Sequence, residues 1–367
     1  MMEEALGQSD VSKDHYEESF DVYGFCHSQH DSLQGDDDML RIKVRKNEQD
    51  ALRVLHEMDA QHRLQWEVLW SQHVGTRHLP RTTHLKQLIR KGIPRQYRPE
   101  MWKWIIKDTL KESYQPGMYA ELMKKHVDQT SIALNQIELD LYRTLPTHKH
   151  YKADGEWINK LRRVLVAFSW YDTSIGYCQG LNRLAAIALL FLDEEHAFWC
   201  LVTIIHHHLP RDYYDRSLLG SQADQRVLKD ILKERAPALT QHLSNCDIDF
   251  SLITFNWFHT IFVDTMPSDT MIRIWDTFLY EGSKVLFRYA VAIFLYNQDK
   301  LLAEGNSIAI FNQLRSMCKE ATDVRRLTEI SFNEITGFRW MQSAEKEITI
   351  TNKSRVKLKH WTSYEQQ

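Results

Sequence analysis

Two short segments carry side chains from which phosphate chemistry can be assembled. In Ile137-Glu138-Leu139-Asp140-Leu141-Tyr142-Arg143-Thr144, Asp140 and Arg143 stand three apart, so on a helix the carboxylate orients the guanidinium. The helix must end before Pro146. An arginine held there by an aspartate and projecting outwards can neutralise charge on a partner's phosphate. Taken alone, the same pair reads as an ordinary exposed ion pair. The second segment is Gly176-Tyr177-Cys178-Gln179-Gly180-Leu181-Asn182. Its glutamine offers an acceptor and two donors, enough to hold a water in line for attack, and the flanking glycines let a partner approach closely. Alone it reads equally as a capped turn.

Other chemistries find less support. Cys178 could act as a nucleophile with His148 or His150 as base, yet no oriented third group or thiol-protease signature accompanies it. The run His206-His207-His208 invites a metal, but neighbouring residues on a helix point about 100° apart and do not converge on one ion. The phosphate-cradling, dinucleotide-binding, serine-elbow and zincin motifs are all missing. No metal and no nucleotide bound by this chain alone are expected.

The elements that must position the two segments are helices. Thirteen Gly and eight Pro among 367 residues are about half the roughly 12% usual share, strand alternation is nearly absent, and apolar residues recur at helical spacing from about residue 85 to about 337. Eleven Trp, fifteen Tyr and fifteen Phe exclude a wholly disordered chain. An all-α fold is the expectation. Helices are expected over 134–144, 179–192, 194–208 and 300–318, among others. Residues 1–40 hold eleven Asp/Glu against one Lys, so 1–38 reads as a disordered acidic arm on which Phe20, Tyr23 and Phe25 could anchor a short stretch. Residues 39–84 read as a helical lead-in and 338–367 as a C-terminal tail. Residues 77–107 carry nine Lys/Arg and only Glu100; a solvated face is preferred there over nucleic acid. Five scattered cysteines without paired spacing suit a reduced, cytosolic protein. The acidic start does not read as a signal peptide, and the apolar run Leu184 to Leu192 is half a membrane span. Any membrane contact is therefore expected to be indirect.

Taken together, Ile137-x-x-Asp140-x-x-Arg143-Thr144, then Tyr177-Cys178-Gln179-Gly180, with Arg98-x-x-x-Trp102 upstream, resemble the three signature motifs of the TBC domain of Rab GTPase-activating proteins. Arg273-Ile274-Trp275-Asp276 and Gly282 extend the likeness, which runs from about Leu85 to about Ile335. The wording around the motifs is most similar to the Armus branch, the TBC domain family member 2 proteins. The resemblance implies an all-helical domain in two lobes over 85–337 and a dual-finger mechanism acting in trans on a Rab that carries GTP and magnesium. Arg143 would be the arginine finger and Gln179 the glutamine finger. Asp140 would orient Arg143, and Tyr177 and Gly180 would shape the loop. Arg98 and Trp102 would brace the fold or touch the Rab. A late-endosomal Rab in its GTP form is the implied partner, with no cofactor of the chain's own and peripheral recruitment to endosomal or vesicle membranes. The competing expectation is a Rab effector or scaffold that binds the GTP form without accelerating hydrolysis.

Overall fold

The computed structural model describes residues 20–26, 60–72, 79–127, 129–152, 155–210, 212–263 and 265–335. Most of the acidic arm, part of the lead-in and the whole C-terminal tail lie outside the described residues. The fold is all-α, with two isolated antiparallel bridges, Phe20 to Cys26 and Phe25 to His148, among the described residues. Phe20, Tyr23 and Phe25 thus belong to a short anchored stretch.

Local signals set the helix ends. After α1 (60–72), α2 (Thr83–Arg90) opens on Thr82, whose hydroxyl accepts from the Leu85 amide at 3.0 Å, and α3 (Arg98–Leu110) opens with Pro99 in its first turn. These caps satisfy amides that a helix start leaves orphaned. There follow α4 (Met118–Lys125), α5 (Ile132–Leu141), α6 (Glu156–Tyr171), α7 (Leu181–Leu189) and α8 (Glu194–Thr203). Asp193 caps α8 through the His196 amide at 3.0 Å. The helix expected over 194–208 finishes in a π-helical turn, Ile204–His208, just before Pro210. The three histidines there diverge. His208 is half-buried, its Nε2 2.9 Å from the Leu279 carbonyl, whereas His206 pairs with Asp172 at 3.4 Å.

The second group comprises α9 (Leu219–Arg235), α10 (Pro237–Asn245), α11 (Ser251–His259), α12 (Ser268–Glu281), α13 (Lys284–Tyr296), α14 (Gln298–Ala303), α15 (Ser307–Ser316) and α16 (Val324–Glu329). The single helix expected over 300–318 is broken at Glu304-Gly305-Asn306, because the Asn306 side chain caps α15 by accepting from Ile308 at 2.8 Å. In the first group α6 packs against α4, α5, α7 and α8; in the second α13 packs against α9, α11, α12, α14 and α16. Helix α3 joins them, touching α8 on one side and α12 on the other.

That joint is built on a buried carboxylate. Asp276 on α12 is fully buried and accepts from Arg98 Nε at 2.9 Å, Arg98 Nη2 at 3.1 Å, Trp102 Nε1 at 2.8 Å and the Ile93 amide at 2.9 Å. The indoles of Trp102 and Trp275 stack beside it at 5.9 Å. Arg98 and Trp102 are therefore both buried within this joint. A charge stripped of water is tolerated only when its partners replace the lost hydration. Other cations of the basic stretch are paired closer to solvent: Arg81 with Asp108, Lys86 and Arg90 with Glu281, and Lys103 with Glu100. Asp276→Ala leaves the Arg98 guanidinium buried without its counter-ion, so urea unfolding should report a loss of about 3–5 kcal/mol. A loss below about 1 kcal/mol would show that Asp276 does not hold the joint.

Candidate functional site

Helix α5 stops at Leu141, three residues earlier than expected, and the chain tightens into a turn. The Arg143 amide donates to the Asp140 carbonyl at 3.3 Å, and the Thr144 hydroxyl donates to the same carbonyl at 2.7 Å. Arg143 thus lies just beyond the helix. Its side chain is 61% exposed while that of Asp140 is 3% exposed. The guanidinium donates to Asp140 Oδ1 from Nε at 2.5 Å and also from Nη2. A buried carboxylate gripping an exposed guanidinium leaves the remaining N–H groups of the fork facing outwards.

The other carboxylate oxygen belongs to the second segment. Tyr177 donates its hydroxyl to Asp140 Oδ2 at 2.6 Å. Burial, then the neighbouring Asp140 charge, hold the Tyr177 pKa well above the ordinary phenol value, so the group remains a donor. A second tie runs beside the first. Asn182, buried at the start of α7, donates to Thr144 Oγ1 at 3.0 Å and accepts from the Gly180 amide at 3.0 Å. The two segments, 33 residues apart, are thereby one unit.

Gln179 is exposed on the turn that precedes α7, which begins at Leu181 and not at 179. Gly180 has φ +109°, and a Cβ there would stand 2.9 Å from Cδ2 of His259. Any side chain at this position would be both strained and obstructed. The His259 Nε2 lies 2.8 Å from the Gln179 carbonyl.

The surroundings of Cys178 disfavour its thiolate. Burial first, and the negative charges of Asp140 and Asp215 next, push its thiol up to about 11. His148, one of its candidate bases, donates from Nε2 to the Tyr23 carbonyl at 2.9 Å and accepts at Nδ1 from the His150 amide at 3.2 Å. Its partner is the short N-terminal stretch. Asp21 Oδ1 accepts from the amides of Tyr23, Gly24 and Phe25 at 2.7–2.9 Å, making a turn that seats on the loop after Arg143 through Cys26 N to Thr147 O and Lys149 N to Gly24 O, both 2.9 Å. Sequence reasoning left His259 and Asn182 without roles, and it foresaw an anchored stretch around Phe20, Tyr23 and Phe25 but not the turn that seats it beside Arg143. The Asp-x-x-Gly pattern of the turn was the readable signal; for His259 there was none.

Near Arg143 apolar side chains stand in solvent among polar ones: Leu139 and Tyr142 are 74% and 53% exposed, and Ile132 on the same helix is also exposed. Exposed apolar side chains next to a fixed cation suit a protein partner better than a small molecule.

Two tests follow from this geometry. Tyr177→Phe removes a hydrogen bond to a buried carboxylate and should lower unfolding stability by about 1.5–3 kcal/mol; an unchanged denaturation midpoint would deny the tie. Alkylation of Cys178, followed by peptide mass spectrometry, should be slow at neutral pH and rise about tenfold per pH unit toward pH 11, because only the thiolate reacts. Rapid labelling at pH 7 would restore the nucleophile reading.

The chain matches the family model for the Rab-GTPase-TBC domain over residues 95–302. It is 43% identical over 350 residues to TBC1 domain family member 2B of Mus musculus, covering 94% of this chain and 36% of that protein. To TBC1 domain family member 2A of Rattus norvegicus it is 50% identical over 273 residues, covering 72% of this chain and 30% of that one. The chain thus spans about a third of the length of the curated relatives it matches. Among solved structures, the Chlamydomonas flagellar RabGAP TBC domain superposes with a TM-score of 0.70 at 26% identity, covering 87% of this chain and all of that one. The described helices run through the whole of the matched segment, the matched model covers more than half of the chain, and the protein belongs to the Rab-GTPase-TBC domain family.

Proposed function

We propose that this chain accelerates GTP hydrolysis by a Rab-family GTPase, inserting Arg143 and Gln179 into the nucleotide site of its partner. The observation that carries this reading is the sharing of Asp140: one buried carboxylate grips the exposed guanidinium on one oxygen and the Tyr177 hydroxyl of the glutamine turn on the other. Two exposed polar groups of the right chemistry are thus presented together from one rigid base.

In phosphoryl transfer, negative charge spreads over the transferred oxygens, and an arginine supplied in trans is worth on the order of 10³ to 10⁵ in rate. That is roughly 4–7 kcal/mol of transition-state stabilisation. Arg143, already held on its Nε edge, would direct its free N–H groups at those oxygens. Gln179, with an acceptor and two donors, would hold the attacking water in line. Asp140 and Tyr177 would act by orienting, and Gly180 by keeping the turn narrow. GTP and magnesium would arrive with the Rab, so the chain would need no cofactor of its own. Leu139 and Tyr142 would meet the partner's apolar surface. By the same reading the partner is a Rab of late endosomes in its GTP form, met at the membrane face of endosomes or vesicles by a peripherally recruited protein.

Single-turnover GTP hydrolysis over a panel of purified Rabs tests the reading. Arg143→Ala should slow the stimulated rate by on the order of 10³ or more. Arg143→Lys should be nearly as damaging, because an ammonium lacks the planar fork, and Gln179→Ala should also abolish most of the stimulation. Affinity for the GTP form should survive all three changes, since the fingers act in the transition state. Binding without acceleration by the wild-type chain would make it an effector instead.

A further inference from the structure

Gln179 projects from a turn whose shape its own sequence leaves open. Gly180 at φ +109° is a residue with many accessible conformations, so the plane of the Gln179–Gly180 peptide is decided by whatever holds it. The amide side is held by Asn182, which accepts from Gly180 N at 3.0 Å. The carbonyl side is held by His259, 80 residues further along the chain, at the C-terminal end of α11.

His259 is itself fixed. It is 8% exposed, its ring stacks on Phe255 at 5.3 Å and 17° and tilts against Tyr214 at 4.8 Å, and its own carbonyl accepts the Tyr214 hydroxyl at 2.7 Å. Nδ1 is buried and has no hydrogen-bond partner among the described residues. The neutral tautomer with its proton on Nε2 is the one that fits. The alternative would oppose a ring lone pair to the carbonyl and bury an unpaired N–H. Burial, assisted by the Arg183 charge, pushes the imidazolium pKa down against the opposing pull of the Gln179 carbonyl, and so favours this neutral form. A position that needed only volume would be served by an apolar side chain, with no orphaned nitrogen in the core.

We propose that His259 is a positioning residue: by donating Nε2–H to the Gln179 carbonyl it fixes the turn and aims the glutamine side chain. The inference rests on the reading of Gln179 as the group that holds the attacking water. His259 touches neither nucleotide nor water in this scheme; it acts through Gln179 alone.

The test is single-turnover hydrolysis with the Rab that wild-type protein accelerates most, at several concentrations of the activating chain. His259→Phe keeps the ring and removes the donor; His259→Gln replaces the ring with an amide that reaches the same carbonyl. The Phe variant should lose about tenfold or more in maximal rate, as small displacements of a positioned group do. Its half-saturating concentration and melting temperature should stay near wild type. The Gln variant should recover to within about threefold of wild type, as restoring the donor restores the aim. In a Gln179→Ala background His259→Phe should cost nothing more, since residues acting as one unit are non-additive.

Three results would overturn the proposal. The Phe variant could keep the wild-type maximal rate while Gln179→Ala loses it, it could cost as much in the Gln179→Ala background as in wild type, or the Gln variant could be as impaired and as destabilised as the Phe variant. If Gln179→Ala itself hydrolyses at the wild-type rate, or no Rab is accelerated, the reading of the glutamine falls first and this inference with it.

Discussion

The site depends on one buried carboxylate having two occupants. Asp140 is almost fully shielded from water, and an isolated ionised carboxylate in that position is expensive. The cost is offset only if each oxygen finds a strong donor. Arg143 saturates Oδ1 and Tyr177 supplies Oδ2. Because the guanidinium comes from the turn after α5 and the phenol from the turn before α7, satisfying the charge forces the two turns together. The Thr144 and Asn182 side chains repeat the connection with neutral groups. The result is preorganisation: the guanidinium, although most of its side chain is in solvent, is held on one edge without losing the donors on the other. A hydrated surface pair would spend most of its time in other rotamers and contribute less than about 1 kcal/mol.

The same logic, one layer deeper, holds the scaffold. Asp276 gathers two nitrogens of Arg98, the Trp102 indole and the Ile93 amide, joining α12 to α3 and to the turn before it. Both carboxylates follow one rule, but they differ in outcome. Around Asp276 every donor is buried, so its network can only bind helices to each other. Around Asp140 one donor is half in solvent, so its network both binds and presents. Function enters where a buried charge is paired with an exposed one.

Residues whose partners lie nearby in sequence were legible. The three-residue spacing of Asp140 and Arg143 foretold their ion pair. The Trp102 indole, which the sequence left between bracing the fold and touching a partner, is fully buried. Boundaries were less so. The helix expected to reach residue 144 stops at Leu141, because the Thr144 hydroxyl and Arg143 amide compete for the Asp140 carbonyl and close a tighter turn. The break between α14 and α15 lay under a run of apolar periodicity, although Gly305 and Asn306 announce it in hindsight. Wholly illegible were the ties that cross the fold: His259 to the Gln179 carbonyl, Asn182 to Thr144, and Glu281 to Lys86 and Arg90. A sequence displays which groups a residue can bond, whereas the helix packing decides which of them come within 3 Å.

The short turn at residues 20–26 shows why such distant partners matter. The chain leaving Arg143 runs through Leu145, Pro146 and Thr147 without helical hydrogen bonds, and its carbonyls and amides need partners from another segment. The N-terminal turn provides them: Cys26 N reaches Thr147 O, Gly24 O receives Lys149 N, and the His148 ring donates to the Tyr23 carbonyl. Asp21 Oδ1 closes the turn internally, and Oδ2 accepts from Ser268 at the start of α12. Tyr23 meanwhile lies over the Arg98 guanidinium, at 5.7 Å from its ring centre, and against Phe191. One seven-residue stretch therefore touches the loop that follows Arg143, the helix that carries Asp276 and the arginine that pairs with it. Fraying of the loop after Arg143 has to break contacts to the scaffold as well as its own turn. The two carboxylate networks are in this way mechanically continuous, the deep one anchoring the shallow one through a segment more than 100 residues upstream of Arg143.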